Sequence, residues 1–218
     1  MSHSTSWKER LDDVWRKART HAFLTELVES SLPKENFLFY IHQDAWFLAE
    51  DAKVMAIAAS RAPTLAISAR ISELIAAVNN AEQNRHRVFA ETLGRPLNTA
   101  ELRPAPTAYA YASHLRSVAL EGHFPTIMAA LLPCPWLYCD FGQHFSDRTP
   151  TDPIYREWLA PYKDSGFAER VLYHRNLVDS LVDASQPNER LRAERAFETS
   201  LRYEERFWSM AMDLEKWA

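Results

Sequence analysis

Glycine is scarce in this sequence, which has 4 glycines among 218 residues. Tight hairpin turns and phosphate-cradling loops both depend on glycine, so a β-sandwich and a nucleotide-phosphate loop are disfavoured. Aromatic residues are plentiful instead, with 7 tryptophans, 8 tyrosines and 11 phenylalanines, and 47% of the chain is hydrophobic. This composition favours long, aromatic-rich helices with ample apolar surface to bury.

An excess of positive charge is missing as well, since the formal net charge is -4 and the isoelectric point is near 6.1. Nucleic-acid-binding domains carry clustered basic residues and an alkaline isoelectric point, so we expect no nucleic-acid partner. The longest apolar run, residues 126–139, is short and broken by proline, and the polar N-terminal stretch lacks the apolar region of a secretory signal. We therefore expect no membrane partner and a cytoplasmic location.

Cysteine occurs twice, as Cys134 and Cys139 on one predicted helix, where a five-residue spacing points the two side chains apart. Such a pair does not meet disulfide geometry, and reduced thiols fit the cytoplasm. None of the 8 histidines has a glutamate three residues before it, and the sequence lacks Cys-x-x-Cys and His-Glu-x-x-His. We expect neither a metal nor another cofactor. A heme ligand at His21 stays open as an alternative to a structural role for that histidine.

Helical periodicity with capping signals recurs along the whole chain, and no alternating segment is bounded by hairpin turns. We predict an all-α fold, a helical bundle forming a single domain over residues 1–218. The loop from Gly94 to Pro106 contains three prolines and is the clearest irregular segment. The predicted helices cover residues 7–30, 33–59, 64–93, 107–121, 125–146, 153–159, 166–184 and 188–217.

An apolar helical run broken by two prolines surrounds Cys134. The thiol shares a helix face with apolar residues spaced by three and four, so it points where the core residues point. Pro133 and Pro135 lack an N–H, which predicts a kink around Cys134, and a kink in a buried wall can open a pocket. Cys134 is therefore a candidate nucleophile. The alternative is a small core residue in an ordinary bent helix.

The last predicted helix carries a glutamate on its apolar side. Two tracings of its apolar face both pass through Glu204, which has Phe197 and Ala211 as neighbours seven residues away. Burial raises the pKa of such a carboxyl, which suits a group that accepts and donates a proton. Two alternatives remain open: a buried ion pair with an arginine, or a helix register in which Glu205 faces inward.

Asp44 is also a carboxylate with apolar neighbours, within an aromatic-rich predicted helix. Its neighbours at three and four residues are apolar or aromatic, Phe47 among them, so a flat nitrogen heterocycle could stack there while the carboxylate binds an exocyclic amine. The alternative is a surface aspartate paired with Lys53 or with an N-terminal arginine. Tyr111, Tyr138 and Tyr162 add phenols that are either core packing or hydrogen-bond partners for carboxylates.

Taken together, these segments resemble the TenA family, the bacterial thiaminase II proteins, over nearly the whole chain. The resemblance implies an all-helical fold similar to heme oxygenase but built without heme, and often a homotetramer. Because Cys134 stands in the matching motif, the chain resembles the cysteine-containing branch. The matching segments are His21–Phe23, Gln43–Leu48, Pro106–Tyr111, Ala129–Tyr138, Pro153–Tyr155 with Trp158 and Tyr162, and Tyr203–Glu204 with Phe207–Trp208.

The resemblance also implies a reaction and residue roles. The cysteine-containing branch hydrolyses 4-amino-5-aminomethyl-2-methylpyrimidine to the hydroxymethylpyrimidine used in thiamine salvage, and can cleave thiamine. By the same resemblance Cys134 is the nucleophile, Glu204 the proton-transfer residue and Asp44 the pyrimidine anchor. The implied substrate-binding residues are Phe47, Tyr111, Tyr138, Tyr162 and Phe207. Phe47 stands where several relatives have tyrosine, which keeps a stacking surface but removes a hydroxyl. A heme-binding protein or a non-catalytic helical binding protein of the same fold remains the alternative.

Overall fold

The computed structural model describes residues 2–98 and 101–218, apart from the side chains of residues 78 and 79. Residues 99–100, inside the predicted loop 94–106, lie outside the described residues. Every regular element in the described ranges is helical, which confirms the all-α prediction. The elements are α1 (His3–Arg10), α2 (Asp12–Arg19), α3 (Ala22–Glu29), α4 (Lys34–Ser60), α5 (Leu65–Ala77), a π turn (Val78–Glu82), α6 (Gln83–Thr92), α7 (Pro106–Glu121), α8 (Phe124–Leu131), α9 (Pro133–His144), α10 (Pro153–Leu159), a 3-10 turn (Ala160–Lys163), α11 (Ser165–Asp183) and α12 (Pro187–Asp213).

The predicted helix over residues 7–30 is wrong, because three helices occupy this segment. The first break is at Leu11, whose φ and ψ angles are -106° and 20°. The second follows Thr20, whose hydroxyl donates to the carbonyl of Arg16. His21 then caps α3, since its Nδ1 accepts from the N–H of Phe23 at 3.2 Å. Side-chain hydrogen bonds to the backbone compete with a continuous helix here.

The predicted helix over residues 125–146 is also divided, at Leu132. Pro133 is the first residue of α9, where its missing N–H costs no helical hydrogen bond. The predicted kink is therefore present, two residues before Cys134. Near the end of α8 the carbonyl of Met128 accepts a hydrogen bond from Nε2 of His174 at 2.9 Å, a side-chain partner supplied by α11.

The final helix ends four residues earlier than predicted. Leu214 adopts a positive φ of 50°, and the N–H of Glu215 donates to the carbonyl of Met210. This left-handed closure ends the backbone ladder of α12.

The described residues group into two compact units. One contains residues 2–32 and 125–209, and the other contains residues 33–98, 101–124 and 210–218. The single domain over residues 1–218 stays a prediction.

The core of the first unit is a cluster of aromatic rings on α9, α10, α12 and the 3-10 turn. Phe141 and Trp158 stack with centroids 5.9 Å apart, and Trp208 lies edge-on to Phe141. Gly142 allows α9 to approach the 3-10 turn, because a Cβ at this position would lie 2.1 Å from the carbonyl oxygen of Tyr162. The close approach holds Tyr162 against the rest of the cluster.

The second unit is built around α4, which packs against α5, α6 and α7. The Arg61 guanidinium after α4 donates to the carbonyls of Ala119 and Gly122, so it satisfies exposed acceptors at the end of α7. Gln43 donates to the carbonyl of Arg103 and accepts from the N–H of Ala105. These bonds attach the segment before α7 to the middle of α4.

Candidate active site

The thiol of Cys134 lies in the first turn of α9, immediately after the proline that begins the helix. It is partly exposed, whereas Cys139 is buried, and neither takes part in a disulfide. Burial raises the pKa of the Cys139 thiol, and the nearby Asp140 acts in the same direction. Cys134 is thus the more accessible of the two thiols, as a nucleophile requires.

Glu204 faces inward from α12 with a relative exposure of 3%. Glu205 is partly exposed, so the alternative register is wrong and the buried position belongs to Glu204. Phe207, one helical turn further along, is also buried. Glu204 and Phe207 therefore share the buried side of α12.

Two of the predicted tyrosines meet in the aromatic cluster of the first unit. The rings of Tyr138 and Tyr162 are edge-to-face with centroids 4.8 Å apart, and Tyr138 also lies 5.5 Å from Trp208. Both tyrosines are buried. Cys134, Tyr138, Tyr162, Glu204 and Phe207 therefore all belong to the first unit.

Asp44 is buried in the second unit, with a relative exposure of 8%. Its Oδ2 accepts a hydrogen bond from the hydroxyl of Tyr40 at 3.2 Å and contacts Nε2 of His86 at 3.2 Å. Lys53, one of the alternative partners, instead contacts Glu50 at 2.6 Å. Asp44 is therefore an interior carboxylate, and not a surface aspartate paired with Lys53.

Phe47, one helical turn after Asp44, stacks on Tyr111 of α7. The ring centroids are 4.6 Å apart and the planes meet at 28°. Both rings are buried. The second unit thus brings Phe47 and Tyr111 together. The meeting of Asp44 with Cys134 and Glu204 around one cavity stays a prediction.

Sequence reasoning missed His86, which is 2% exposed. Burial lowers the pKa of His86 to about 3, and the positive charge of Arg85 adds to this effect. The residue lies within the polar segment from Asn84 to Arg87, so its burial was not predicted. The usable signal was its spacing of three and four from Phe89 and Ala90, which places it on the buried side of α6.

The heme alternative depends on His21, whose two ring nitrogens both have protein partners. Nδ1 accepts from the N–H of Phe23, and Nε2 lies 3.1 Å from the hydroxyl of Ser209. Across residues 2–98 and 101–218, no group of three or more His, Cys, Asp or Glu side chains is arranged to hold a metal ion. Within the same ranges, no helix is both long enough and apolar enough to cross a membrane.

Comparison with known proteins gives findings about both sequence and fold. The model of the TENA/THI-4/PQQC family matches residues 8–214. The chain is 33% identical over its whole length to the aminopyrimidine aminohydrolase of Bacillus subtilis, covering 93% of that protein. It is 26% identical to the TenA homologue protein from P. horikoshii OT3, with a TM-score of 0.88 over 98% of this chain and 99% of the other. A domain with a heme oxygenase-like fold from Shewanella denitrificans shares the fold alone, with a TM-score of 0.72, 11% identity and coverage of 96% of this chain and 92% of that one.

Proposed function

Because the chain belongs to the TENA/THI-4/PQQC family, we propose that it is an aminopyrimidine aminohydrolase of thiamine salvage. Its substrate is 4-amino-5-aminomethyl-2-methylpyrimidine, and its products are the hydroxymethylpyrimidine and ammonia. The observation that carries the proposal is the 33% identity with the Bacillus subtilis aminopyrimidine aminohydrolase along the whole chain. The accessible thiol of Cys134 and the buried carboxyl of Glu204 support it, because the reaction needs a nucleophile and a proton-transfer group.

The proposed reaction begins when the Cys134 thiolate forms a bond to a carbon of the pyrimidine ring. Aromaticity is lost, and the ring electrons expel the amine of the aminomethyl group, which leaves as ammonia after taking a proton. Water adds to the methylene carbon, the carbon–sulfur bond breaks, and the thiolate and the aromatic ring are restored. Glu204 moves protons on and off the substrate during these steps.

The other site residues bind and orient the ring. Asp44 accepts hydrogen bonds from the amino-pyrimidine edge, and the stacked pair of Phe47 and Tyr111 supplies an aromatic surface. Tyr138 and Tyr162 supply hydroxyl groups, and Phe207 adds apolar surface beside Glu204. Holding the ring in register with the nucleophile supplies a large part of the rate enhancement in such reactions.

The test of the nucleophile compares Cys134→Ser with Cys139→Ser. Ammonia released from the aminomethylpyrimidine is followed for both variants and for the wild-type chain. We expect Cys134→Ser to lose at least about 1,000-fold in kcat while still binding the pyrimidine, because a hydroxyl is a far weaker nucleophile at neutral pH. Cys139→Ser keeps ordinary turnover. Ordinary turnover by Cys134→Ser would refute the role of Cys134.

The reaction also has a second candidate substrate, intact thiamine, in which the thiazole leaves in place of ammonia. Incubating the protein with each compound and measuring ammonia against released thiazole ranks the two. We expect the aminomethylpyrimidine to be preferred, in line with the name of the Bacillus subtilis relative.

We propose a homotetramer in the cytoplasm as the working form. Exposed apolar side chains support the assembly, since Leu65 is 86% and Leu120 is 67% exposed in the single chain. A reducing compartment suits an enzyme whose nucleophile is a thiol. Light scattering on the purified protein should give four times the mass of one chain, and the monomer mass would contradict the tetramer.

A further inference from the structure

Two hydrogen-bond donors lie against the same carboxylate oxygen of Asp44, in the second unit. The Tyr40 hydroxyl and Nε2 of His86 each lie 3.2 Å from Oδ2 of Asp44. Tyr40 is one turn before Asp44 on α4, whereas His86 approaches from α6. Donors that reach the same oxygen from two helices restrict rotation of the carboxylate about its terminal bond.

The position of His86 follows from how α6 meets α4. Gln83 donates from Nε2 to the carbonyl of Ala45 at 2.8 Å, and His86, one turn later, reaches the adjacent Asp44. The helix α6 begins directly after the π turn, and a π turn changes the rotational phase of the helix that follows it. Gln83 and His86 both contact α4 from this part of α6.

His86 approaches Asp44 as a neutral donor. Burial lowers its pKa to about 3, and a neutral imidazole has one N–H. With that proton on Nε2, facing Asp44, Nδ1 is an acceptor. This Nδ1 is buried and has no hydrogen-bond partner among the residues that the structure describes.

A neutral donor beside Asp44 affects ligand binding differently from a cation at the same place. Lysine or arginine at this place would neutralise the carboxylate and compete with a substrate amine for it. An imidazole N–H and a phenol O–H orient the carboxylate without bringing a positive charge to it. Asp44 then offers an oriented acceptor to the amine of a ligand.

We propose that His86 is the positioning residue of Asp44: its Nε2–H holds the carboxylate in the orientation that receives the exocyclic amine of the aminopyrimidine. The inference rests on the proposed function, and it assigns His86 to substrate binding and not to chemistry. It makes two claims that are tested separately, one about the tautomer of His86 and one about the Michaelis constant.

The tautomer is read by nitrogen NMR of the full chain with labelled histidine. The His86 resonances are identified by their loss in His86→Gln. We expect a neutral ring at pH 7 with the proton on Nε2 and with Nδ1 unprotonated. A proton on Nδ1, or a doubly protonated ring at this pH, would overturn the inference whatever the enzyme's activity.

Two amide variants separate positioning from general structural support. His86→Gln carries its amide nitrogen about where Nε2 lies and restores the donor, whereas His86→Asn carries it about where Nδ1 lies and cannot reach Asp44. We expect KM for the aminomethylpyrimidine to rise about tenfold in His86→Asn and less than about threefold in His86→Gln, with kcat within about twofold in both.

The substitution of His86 is also tested in a chain that lacks the Asp44 carboxylate. In Asp44→Asn, the further change His86→Asn should leave KM unchanged, because the group that His86 positions is already altered. Equal KM values for His86→Gln and His86→Asn, or a loss confined to kcat, would overturn the positioning role. A wild-type chain that neither binds nor hydrolyses aminopyrimidines would overturn the proposed function instead, and the NMR measurement tells the two failures apart.

Discussion

At the scale of single residues, the chain buries the carboxylates of Asp44, Glu50 and Glu204, where an ionised group is costly unless it is hydrogen-bonded. Asp44 meets this requirement with Tyr40 and His86. Glu204 sits in an aromatic helix face, next to a glutamate that is partly exposed. The adjacent pair gives a natural comparison, because the two residues differ in burial and not in chemistry.

Glu204→Gln should lower kcat by about 100-fold or more, because an amide cannot transfer a proton in place of the carboxyl. Glu205→Gln, the control, should stay within about twofold of wild type, since a partly exposed side chain away from the reaction contributes little. Both variants are compared by steady-state ammonia release. Equal losses in the two variants would contradict the assignment of proton transfer to Glu204.

The two thiols should differ in their reaction with iodoacetamide. Cys134 is partly exposed, while Cys139 is buried and burial raises the pKa of its thiol. We expect mass spectrometry of the native protein to find Cys134 alkylated first and Cys139 modified only after unfolding. Labelling of both at one rate would contradict this, and Cys134→Ser serves as the control for assignment.

At the scale of elements, interruptions of helices set where the site residues lie. Cys134 stands in the first turn of α9 because the preceding helix ends at Leu131. Tyr162 stands in the aromatic cluster because Gly142 lets α9 and the 3-10 turn approach closely. A side chain at residue 142 would therefore disturb the packing of two elements at once.

Gly142→Ala should destabilise the protein by about 1–3 kcal/mol, because the added methyl would collide with the backbone carbonyl of Tyr162 and force the elements apart. Gly166→Ala is the comparison, since a Cβ there would meet a side-chain oxygen of Asp164, the N-cap of α11, and not a backbone carbonyl. Denaturant unfolding measures both. A Gly142→Ala variant as stable as wild type would mean that the close approach is not required.

The helix bounds show which features can be predicted from the local sequence. The helix α10 was predicted with its observed bounds, 153–159, because Pro153 suits a helix start. In the structure the side chain of Asp152 caps this end. The helices α4 and α7 were predicted within one residue at each end. The breaks at Leu11 and after Thr20 were missed, since no proline or glycine marks either of them. At the second break the side chains of Thr20 and His21 bond to the backbone.

At the scale of the whole molecule, stability depends on keeping buried histidines neutral. Burial lowers the pKa of His86 to about 3 and that of His174 to about 4, below the ordinary value of 6.5. The unfolded chain therefore takes up protons that the folded chain excludes as the pH falls below about 6.5. The stabilisation that comes from keeping these histidines neutral is fully present above that pH. It is lost as the pH falls toward the pKa values of the folded protein.

The contribution of His86 to the free energy of unfolding should be about 2 kcal/mol lower at pH 5 than at pH 8. The variant His86→Gln has no titrating group here, so its stability should fall less over this range. Urea titrations at closely spaced pH values measure the difference. Parallel pH profiles for the two proteins would contradict a buried neutral His86.

The sequence by itself determined the helical class and the family, and it placed Asp44 and Glu204 on buried helix faces. It could do so because helical periodicity is local, and a carboxylate in an apolar stripe is visible within a few turns. Only the tertiary structure decided that His86 lies on Asp44 and that Gly142 lies on Tyr162. These pairs join elements distant in the chain, and their contacts arise from how helices pack, which no single stretch of residues encodes.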